Sequence, residues 1–376
     1  MGNLTNKNLF ISCGEVSGDL YAGDFIKEFL KIAPDAKIWG MLGANGIKFG
    51  GEAVWSYDEL KLMGIIEILP ALPRIFKLKS AIVKEVLRRN PDAAILIDSP
   101  DFNLMLAKDL RRSGYSGQII SLVPPTVWAW RSGRVKNLRR DFNFCLPLFK
   151  FEHEYLISHG VKSLWCAHPL VHDLEKCVTP DYFYERFKND KVIALMPGSR
   201  KYDIKYHGKI LLRVAEILRE KNYRPVFSIA KGLNSDLAQE LRDLVKDFDI
   251  WEREGRELMS GALAVAGVSG TVAVEAMLLK KFMVVIYNMK KFNYWLLKKL
   301  VHVKNISIPN FLSPEPVYPE LLCENATPEN IVNALEKYLT NENERDIINS
   351  RLEQACSHMG KSNAAEFWAR SVFNAI

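Results

Sequence analysis

Two parallel-sheet α/β domains of the Rossmann-like kind, facing across a cleft and followed by a helical C-terminus, are the architecture this chain predicts. Three observations carry that prediction. Short apolar runs alternate with amphipathic helical patterns over most of the 376 residues. The pattern restarts near residue 191, after the polar stretch Thr179–Lys191. Several apolar runs end in turns of small residues, which is where open α/β sheets bind ligands.

The first series of strands is expected at Leu9–Cys13, Lys37–Leu42, Ala93–Ile97, Gln118–Leu122 and Phe144–Leu146. Helical patterns at Asp19–Ile32, Pro73–Arg89 and Asn103–Arg112 lie between them. The second series is Val192–Met196, Val226–Ala230, Leu263–Ala266 and Met283–Tyr287, with helices at Gly208–Glu220, Asn234–Asp247 and Thr271–Leu279. Runs of this kind are buried on both faces, as parallel strands are. From about Pro328 the chain reads helical through Pro328–Leu339, Glu342–His358 and Ser362–Asn374. The expected domains are 1–168, 169–340 and a terminal helical segment 341–376.

Composition bounds the function. With 48% hydrophobic and 25% charged residues the chain is that of a soluble globular protein. The net charge of +7 is mild but unevenly spread. Residues 61–89 hold seven Lys/Arg against Glu67 and Glu85, and Arg131–Arg140 and Lys290–Lys304 hold five basic residues each and no acid. Such clusters suggest an anionic partner: a nucleotide, a nucleic acid or a membrane surface. No nucleic-acid motif accompanies them, so a nucleic-acid partner ranks last. The six cysteines form no Cys-x-x-Cys pair and read as reduced residues of a cytosolic protein. Cys166, His168 and His172 lack a second ligand pair, and no metal or other cofactor is expected. Met1–Asn6 has neither the basic nor the apolar region of a signal peptide, and the longest uncharged runs are broken by Pro124-Pro125 or by glycines and serines. A membrane would be met from the side.

The strand ends hold the chemistry. Gly267-Val-Ser-Gly-Thr271 leads from an apolar run into a helix, whose N-terminal N–H groups offer an anion site. Ser269 and Gly270 carry no bulk, and Glu275 lies one turn past Thr271, about 6 Å along the axis. Glu275 is thereby placed for ribose hydroxyls beside a phosphate. The alternative is a packing turn with Glu275 merely solvated. Gly14-Glu-Val-Ser-Gly-Asp19 makes a second small-residue turn, but neither a G-x-G-x-x-G nor a Walker A sequence exists here. A dehydrogenase and a P-loop NTPase are disfavoured. Asp98-Ser-Pro-Asp101 puts two carboxylates at one strand end; Asp101 is the better helix N-cap, which leaves Asp98 for catalysis or binding. Trp128 and Trp130, on a proline-stiffened loop, either pack or wall the cleft. Arg200, closing Pro197-Gly-Ser-Arg, can neutralise a diphosphate.

Taken together these stretches resemble the lipid-A-disaccharide synthase family, inverting glycosyltransferases of the GT-B fold. The matching segments are Gly14–Asp19, Met63–Glu67, Ile97–Asn103, Pro125–Arg131, Leu195–Arg200, Ser269–Thr271 through Glu275, and Ser307–Asn310. One departure is Ala167 before His168-Pro169, where the family pattern has glycine. The resemblance implies transfer of the sugar of UDP-2,3-diacylglucosamine to 2,3-diacylglucosamine 1-phosphate (lipid X), giving a β-1,6 disaccharide 1-phosphate and UDP. It implies a Gram-negative source and a cytoplasmic enzyme held peripherally at the inner face of the cytoplasmic membrane, with a homodimer left open. Ser17 and Asn310 join Arg200, Ser269, Gly270, Thr271 and Glu275 as substrate contacts. Inversion needs a base opposite UDP, with Asp98 first in line and Glu15 the runner-up. Met63–Leu78 is expected to face an anionic membrane through Ile65, Ile66, Ile68, Leu69, Leu72, Ile75 and Phe76, with Pro70 and Pro73 breaking regular structure there. Rival readings are a UDP-sugar 2-epimerase, a transferase with a soluble acceptor, and a non-catalytic nucleotide-sugar binder.

Overall fold

The computed structural model describes residues 6–60, 68–175, 177–188, 190–231, 233–288 and 305–376, with side chains from residue 72 onward in the second stretch. It divides into two units, Met1–Pro169 with Lys361–Ile376, and Leu170–Gly360.

The first unit carries β1 (Asn8–Cys13), β2 (Lys37–Leu42), β3 (Glu52–Ser56), β4 (Ala93–Ile97), β5 (Gln118–Leu122) and β6 (Phe144–Leu146). They form one sheet in the order β3-β2-β1-β4-β5-β6, parallel throughout. Side chains alternate across a strand, and each face needs its own cover. Leu9, Ile11, Ile95 and Ile97 pack on one side with Phe25 and Phe29 of the helix Val16–Ile32. Phe10, Ala94 and Leu96 pack on the other with Ile82 and Val86 of the helix Ile68–Arg89 and Leu106 and Leu110 of the helix Pro100–Arg112.

The second unit repeats the plan. Its strands are β7 (Val192–Met196), β8 (Arg224–Ser228), β9 (Asp249–Trp251), β10 (Ala264–Val268), β11 (Met283–Tyr287) and β12 (Glu320–Leu322). The order β12-β11-β10-β7-β8-β9 is again parallel throughout. Counted within the unit it is the same order as in the first, seen from the opposite edge. The neighbours β1 and β4, and β7 and β10, are the points where the order reverses, and the crevices above them are the standard ligand positions of such sheets.

The terminal helices divide between the units. Pro328–Thr340 and Glu342–Ser357 belong to the second, whereas Ala364–Phe373 lies in the first. Ala364, Trp368, Ala369 and Val372 complete the core on the Phe25 side, with Trp368 edge-on to Tyr21 at 6.0 Å.

Three strands lie where no apolar run signals them: β3, β9 and β12. Each is an edge strand, shielded on one side only, and needs no continuous hydrophobic sequence. The helix expected from Pro73 begins at Ile68 and runs through Pro73, so the prolines do not break it. A proline this near a helix start forfeits one hydrogen bond and leaves the remainder intact. The helix expected from Gly208 begins at Lys201, because its first two turns bury only Ile204 and His207.

Candidate functional site

In the first unit the rim above β1 and β4 is built around a strained turn. Asp98 and Ser99 both have φ in the left-handed region, at 53° and 41°. Consecutive non-glycine residues in that conformation persist only where their surroundings hold them. Asn103, buried on the next helix, supplies the hold. Its Nδ2 donates to the carbonyls of Ile97 at 3.1 Å and Asp98 at 2.8 Å, while its Oδ1 accepts from Ser12 Oγ at 2.8 Å. Ser99, and not Asp101, occupies the N-cap position, with Pro100 at the first helical position. The expectation for Asp101 is thereby corrected: it lies inside the first turn, paired with Arg131 at 3.1 Å and with Arg134. Asp98 is half-buried and accepts a hydrogen bond from Ser17 Oγ at 3.0 Å. Gly14 lets the two turns approach, since a Cβ there would stand 1.9 Å from Ser99 Oγ. Glu15 is exposed at the N-cap position of the helix Val16–Ile32. Asp19, in the same motif, is buried and wholly structural: it accepts from the backbone N–H groups of Gly43, Asn45 and Gly46 at 2.7–3.1 Å.

The loop after β5 carries the two tryptophans. Trp128 donates from Nε1 to Glu152 at 3.0 Å and meets Phe151 edge-on at 4.9 Å. Burial pushes the Glu152 carboxyl up to about 7, with Trp128 and backbone N–H groups pulling part of the way back. Trp130 is exposed under the guanidinium of Arg131, at 4.2 Å. His168 is buried against Phe149, and burial pushes its imidazole down to about 3. Among the described residues no group of three or more His, Cys, Asp or Glu side chains is arranged to hold a metal ion.

In the second unit the rim above β7 and β10 gathers the residues chosen for a nucleotide. Gly270 caps the helix Thr271–Leu278 at φ 152°, and the space where a Cβ would stand is open to 4 Å. Ala273 N–H turns back to Gly270 O at 3.2 Å, and the first N–H groups of a helix have no partner four residues back. Arg200 is exposed at the N-cap position of the helix Lys201–Glu220, its backbone N–H donating to Asp203 Oδ2 at 3.3 Å. Glu275 is half-buried; burial raises its carboxyl, Arg256 pulls it down and Glu254 adds to the rise. Tyr287, at the end of β11, is also raised by burial and by Asp203, and lowered by Arg200. Asn310 is buried with a saturated amide: Nδ2 donates to Tyr318 O and Glu320 Oε1, and Oδ1 accepts from Val317 and Tyr318 N–H, all at 2.8–2.9 Å. An amide makes four such bonds, so a ligand would have to displace one to reach it.

Sequence reasoning passed over Asn103, Arg134, Tyr287 and His207. His207 is fully buried between Asp203 O, 2.9 Å from Nδ1, and the Asn288 N–H, 2.8 Å from Nε2. An N–H donor facing Nε2 makes it the acceptor, so Nδ1 carries the proton and the ring is neutral. It ties the helix that begins at Arg200 to the end of β11. The available signal was position alone, and it was weak: Tyr287 ends β11 and Asn103 follows β4 closely, whereas Arg134 and His207 lie well along the segments after β5 and β7.

The expected membrane segment is partly described. Ile65 and Ile66 lie outside the described residues, as do the side chains of Ile68 and Leu69 and the stretch Lys290–Lys304. Beyond them Leu78, Ile82 and Val86, four apart, bury one face of the helix. Leu72 and Ile75 are half-buried, Phe76 is exposed, and Arg74, Lys77 and Lys84 are exposed beside it. No described helix is long and apolar enough to cross a membrane.

Comparison with known proteins places the chain in a family and a fold. Residues 9–371 match the family model described as lipid-A-disaccharide synthetase. A lipid-A-disaccharide synthase from Aeromonas hydrophila is 33% identical over 344 residues, 89% of each chain. One from Azoarcus is 33% identical over 379 residues, covering 96% of this chain and 93% of that one. Among solved structures, the calicheamicin glycosyltransferase CalG4 superposes with a TM-score of 0.61 at 11% identity over 98% of both chains. A UDP-GlcNAc 2-epimerase from Neisseria meningitidis, bound to UDP-GlcNAc, superposes with a TM-score of 0.60 at 11% identity, over 98% of this chain and 100% of that one. At such identities the likeness is one of fold, and the fold is GT-B.

Proposed function

The chain belongs to the lipid-A-disaccharide synthase family, and from that premise we propose that it transfers 2,3-diacylglucosamine from its UDP derivative to the 6-hydroxyl of 2,3-diacylglucosamine 1-phosphate. The anomeric carbon–oxygen bond to UDP breaks, a β-1,6 bond forms with inversion, and the hydroxyl proton passes to a carboxylate. The observation that carries this reading is the different furnishing of two equivalent rims. Above β1 and β4 stands a half-buried carboxylate, Asp98, held by Ser17 on a turn braced by Asn103. Above β7 and β10 stand the open N-terminus of the helix Thr271–Leu278, Arg200 and Glu275. One rim is suited to take a proton, the other to hold a nucleoside diphosphate.

Ser269, Gly270 and Thr271 then receive the diphosphate, Arg200 supplies countercharge, and Glu275 accepts from the ribose hydroxyls. Asp98 is the general base, with Glu15 next in order; Ser17 orients Asp98 and touches the acceptor. Asn310, a substrate contact by resemblance, reaches a ligand only by giving up one of the bonds it makes to the segment before β12. The apolar-basic face around Leu72, Ile75 and Phe76 seats the protein on an anionic membrane, where both acylated substrates reside. Incubation with UDP-2,3-diacylglucosamine and lipid X should release UDP and yield a disaccharide 1-phosphate. UDP release without a disaccharide, or no consumption of either lipid, would overturn this reading.

A further inference from the structure

The carboxyl rim of β5 carries a cationic cluster that the reading above leaves unused. Nine described non-glycine residues have φ in the left-handed region. Asn90, Lys188, Asn222 and Lys280 close helices, where that conformation is ordinary. Of the others, Asp98, Ser99 and Val123 stand at the carboxyl ends of β4 and β5, and Arg131 lies further along the loop after β5. The strain of the first unit is therefore gathered on one rim, as it is at functional sites.

Arg131 and Arg134 both bond Oδ1 of Asp101. Two guanidinium groups on one carboxylate leave a net positive charge and spare N–H donors. The Arg131 guanidinium stands over the ring of the exposed Trp130, 4.2 Å from its centroid, with that of Arg134 at 5.8 Å from the same ring. Asp141, the nearest acid further along the chain, is taken by Arg140 at 2.6 Å. Asp101 itself is exposed on the helix that the Asp98-Ser99 turn starts, three residues from Asp98. A planar fork held on an aromatic plate is the geometry that grips phosphate oxygens through two bonds. A phosphate monoester carries nearly two charges and can draw the pair from the single charge of Asp101.

We propose that Arg131 and Arg134, plated by Trp130, bind the phosphate monoester of the acceptor sugar and so select phosphorylated acceptors and bring their hydroxyl to Asp98. This rests on the transferase reading above. The test compares kcat/KM for lipid X with that for the same diacylglucosamine lacking phosphate, in the wild type and in R131Q, R134Q and R131K. Charge-assisted bonds of this kind predict a wild-type preference of about 10- to 100-fold for the phosphorylated acceptor. R131Q and R134Q should bring that ratio toward unity by raising KM for lipid X, with KM for the UDP-sugar unchanged. R131K should keep part of it. Because the ratio compares two acceptors on one protein, partial unfolding moves both rates alike and leaves it untouched. An unchanged ratio in both glutamine variants overturns the proposal. So does an unchanged ratio with weakened binding to phosphatidylglycerol vesicles, which would give the arginines to lipid headgroups. A wild type that turns over neither acceptor defeats the transferase reading; one that uses both equally defeats only this inference.

Discussion

Ser17 Oγ donates to Asp98 Oδ2 at 3.0 Å, joining the turn after β1 to the turn after β4 at the point where the strand order of the first sheet reverses. The bond holds one oxygen of the carboxylate proposed as the base. A base needs its acceptor lone pair aimed before the reaction begins. Ser17 supplies such a hold for Asp98, the proposed base, and Glu15 stands exposed at a helix start as the second candidate.

Replacing Asp98 with Asn keeps the shape and removes the basicity. Turnover should fall by about 10²–10⁴, the usual worth of positioned proton abstraction, with UDP affinity nearly unchanged by calorimetry. Near-normal turnover in Asp98→Asn together with an inactive Glu15→Gln would exchange the two roles. If both variants stay active, the proton goes elsewhere.

Asn103 is expected to matter for stability as much as for rate. Asn103→Ala removes a brace from two strand-end carbonyls and leaves Ser12 Oγ buried without its acceptor. Buried polar groups left unpaired cost about 1–3 kcal/mol, and the Asp98-Ser99 turn loses what keeps it strained. Chemical denaturation should show a loss of that size, and turnover should drop with it. A variant as stable and as active as the wild type would show that the turn holds itself.

Glu275 is tested through binding. A half-buried carboxylate accepting from ribose hydroxyls is worth about 1.5–3 kcal/mol, so Glu275→Ala should weaken UDP roughly ten- to hundredfold by calorimetry. Arg200→Gln should act in the same direction. A chelator should leave activity intact, since the helix N-terminus and Arg200 are the groups proposed to stabilise the departing diphosphate. Unchanged UDP affinity in Glu275→Ala, or full loss of activity with the chelator, would falsify this assignment.

The central strands were legible because parallel strands covered on both faces must be nearly continuous apolar runs; Ala93–Ile97 and Met283–Tyr287 stand where the sequence places them. Edge strands such as Glu52–Ser56 bury little and leave no such trace. Asp98 stood out as a carboxylate without a packing task, and its strand-end position could be inferred. Its conformation could not, because the left-handed turn is held by Asn103, whose own amide is fixed by Ser12 from a distant strand. The Arg131 and Arg134 charges were visible as a basic run. Their convergence on Asp101 across some thirty residues is set by tertiary packing, which spacing alone does not reveal.

The helix Ile68–Arg89 invites a test on its exposed side. Phe76 is exposed and Lys79 lies 5.0 Å over its ring, while Leu78 packs inward. Phe76→Glu with Leu72→Glu places two negative charges on the face proposed to meet anionic lipid, which should release the protein from phosphatidylglycerol vesicles in a sedimentation assay. Leu78→Ala, by contrast, should cost stability through a core cavity, about 2–5 kcal/mol, without changing vesicle binding. Undiminished vesicle binding by the double variant would move the membrane surface elsewhere.

Glu152 gives the chain a pH dependence of definite sign. Its carboxyl is buried, accepting from Trp128 Nε1 and from the backbone N–H of Phe149 at 3.2 Å, and burial raises it from 4.5 to about 7. A folded-state pKa above the unfolded one means that the native chain binds more protons between those values. The stability this group contributes is therefore fully present below pH 4.5 and is lost as pH rises to about 7. His168 works in the opposite sense: lowered from 6.5 to about 3 by burial, it contributes above pH 6.5 and loses that contribution in acid. The wild-type curve mixes the two, but the difference between the wild type and Glu152→Gln isolates the carboxyl. Denaturation midpoints should show the Gln variant gaining on the wild type as pH rises from about 4.5, with the gain levelling off just above 7. Any constant offset reports the one accepted bond that an amide cannot replace. A difference that stays flat across this range would mean that the Glu152 carboxyl titrates alike in the folded and unfolded chains, and the burial argument for it would fail.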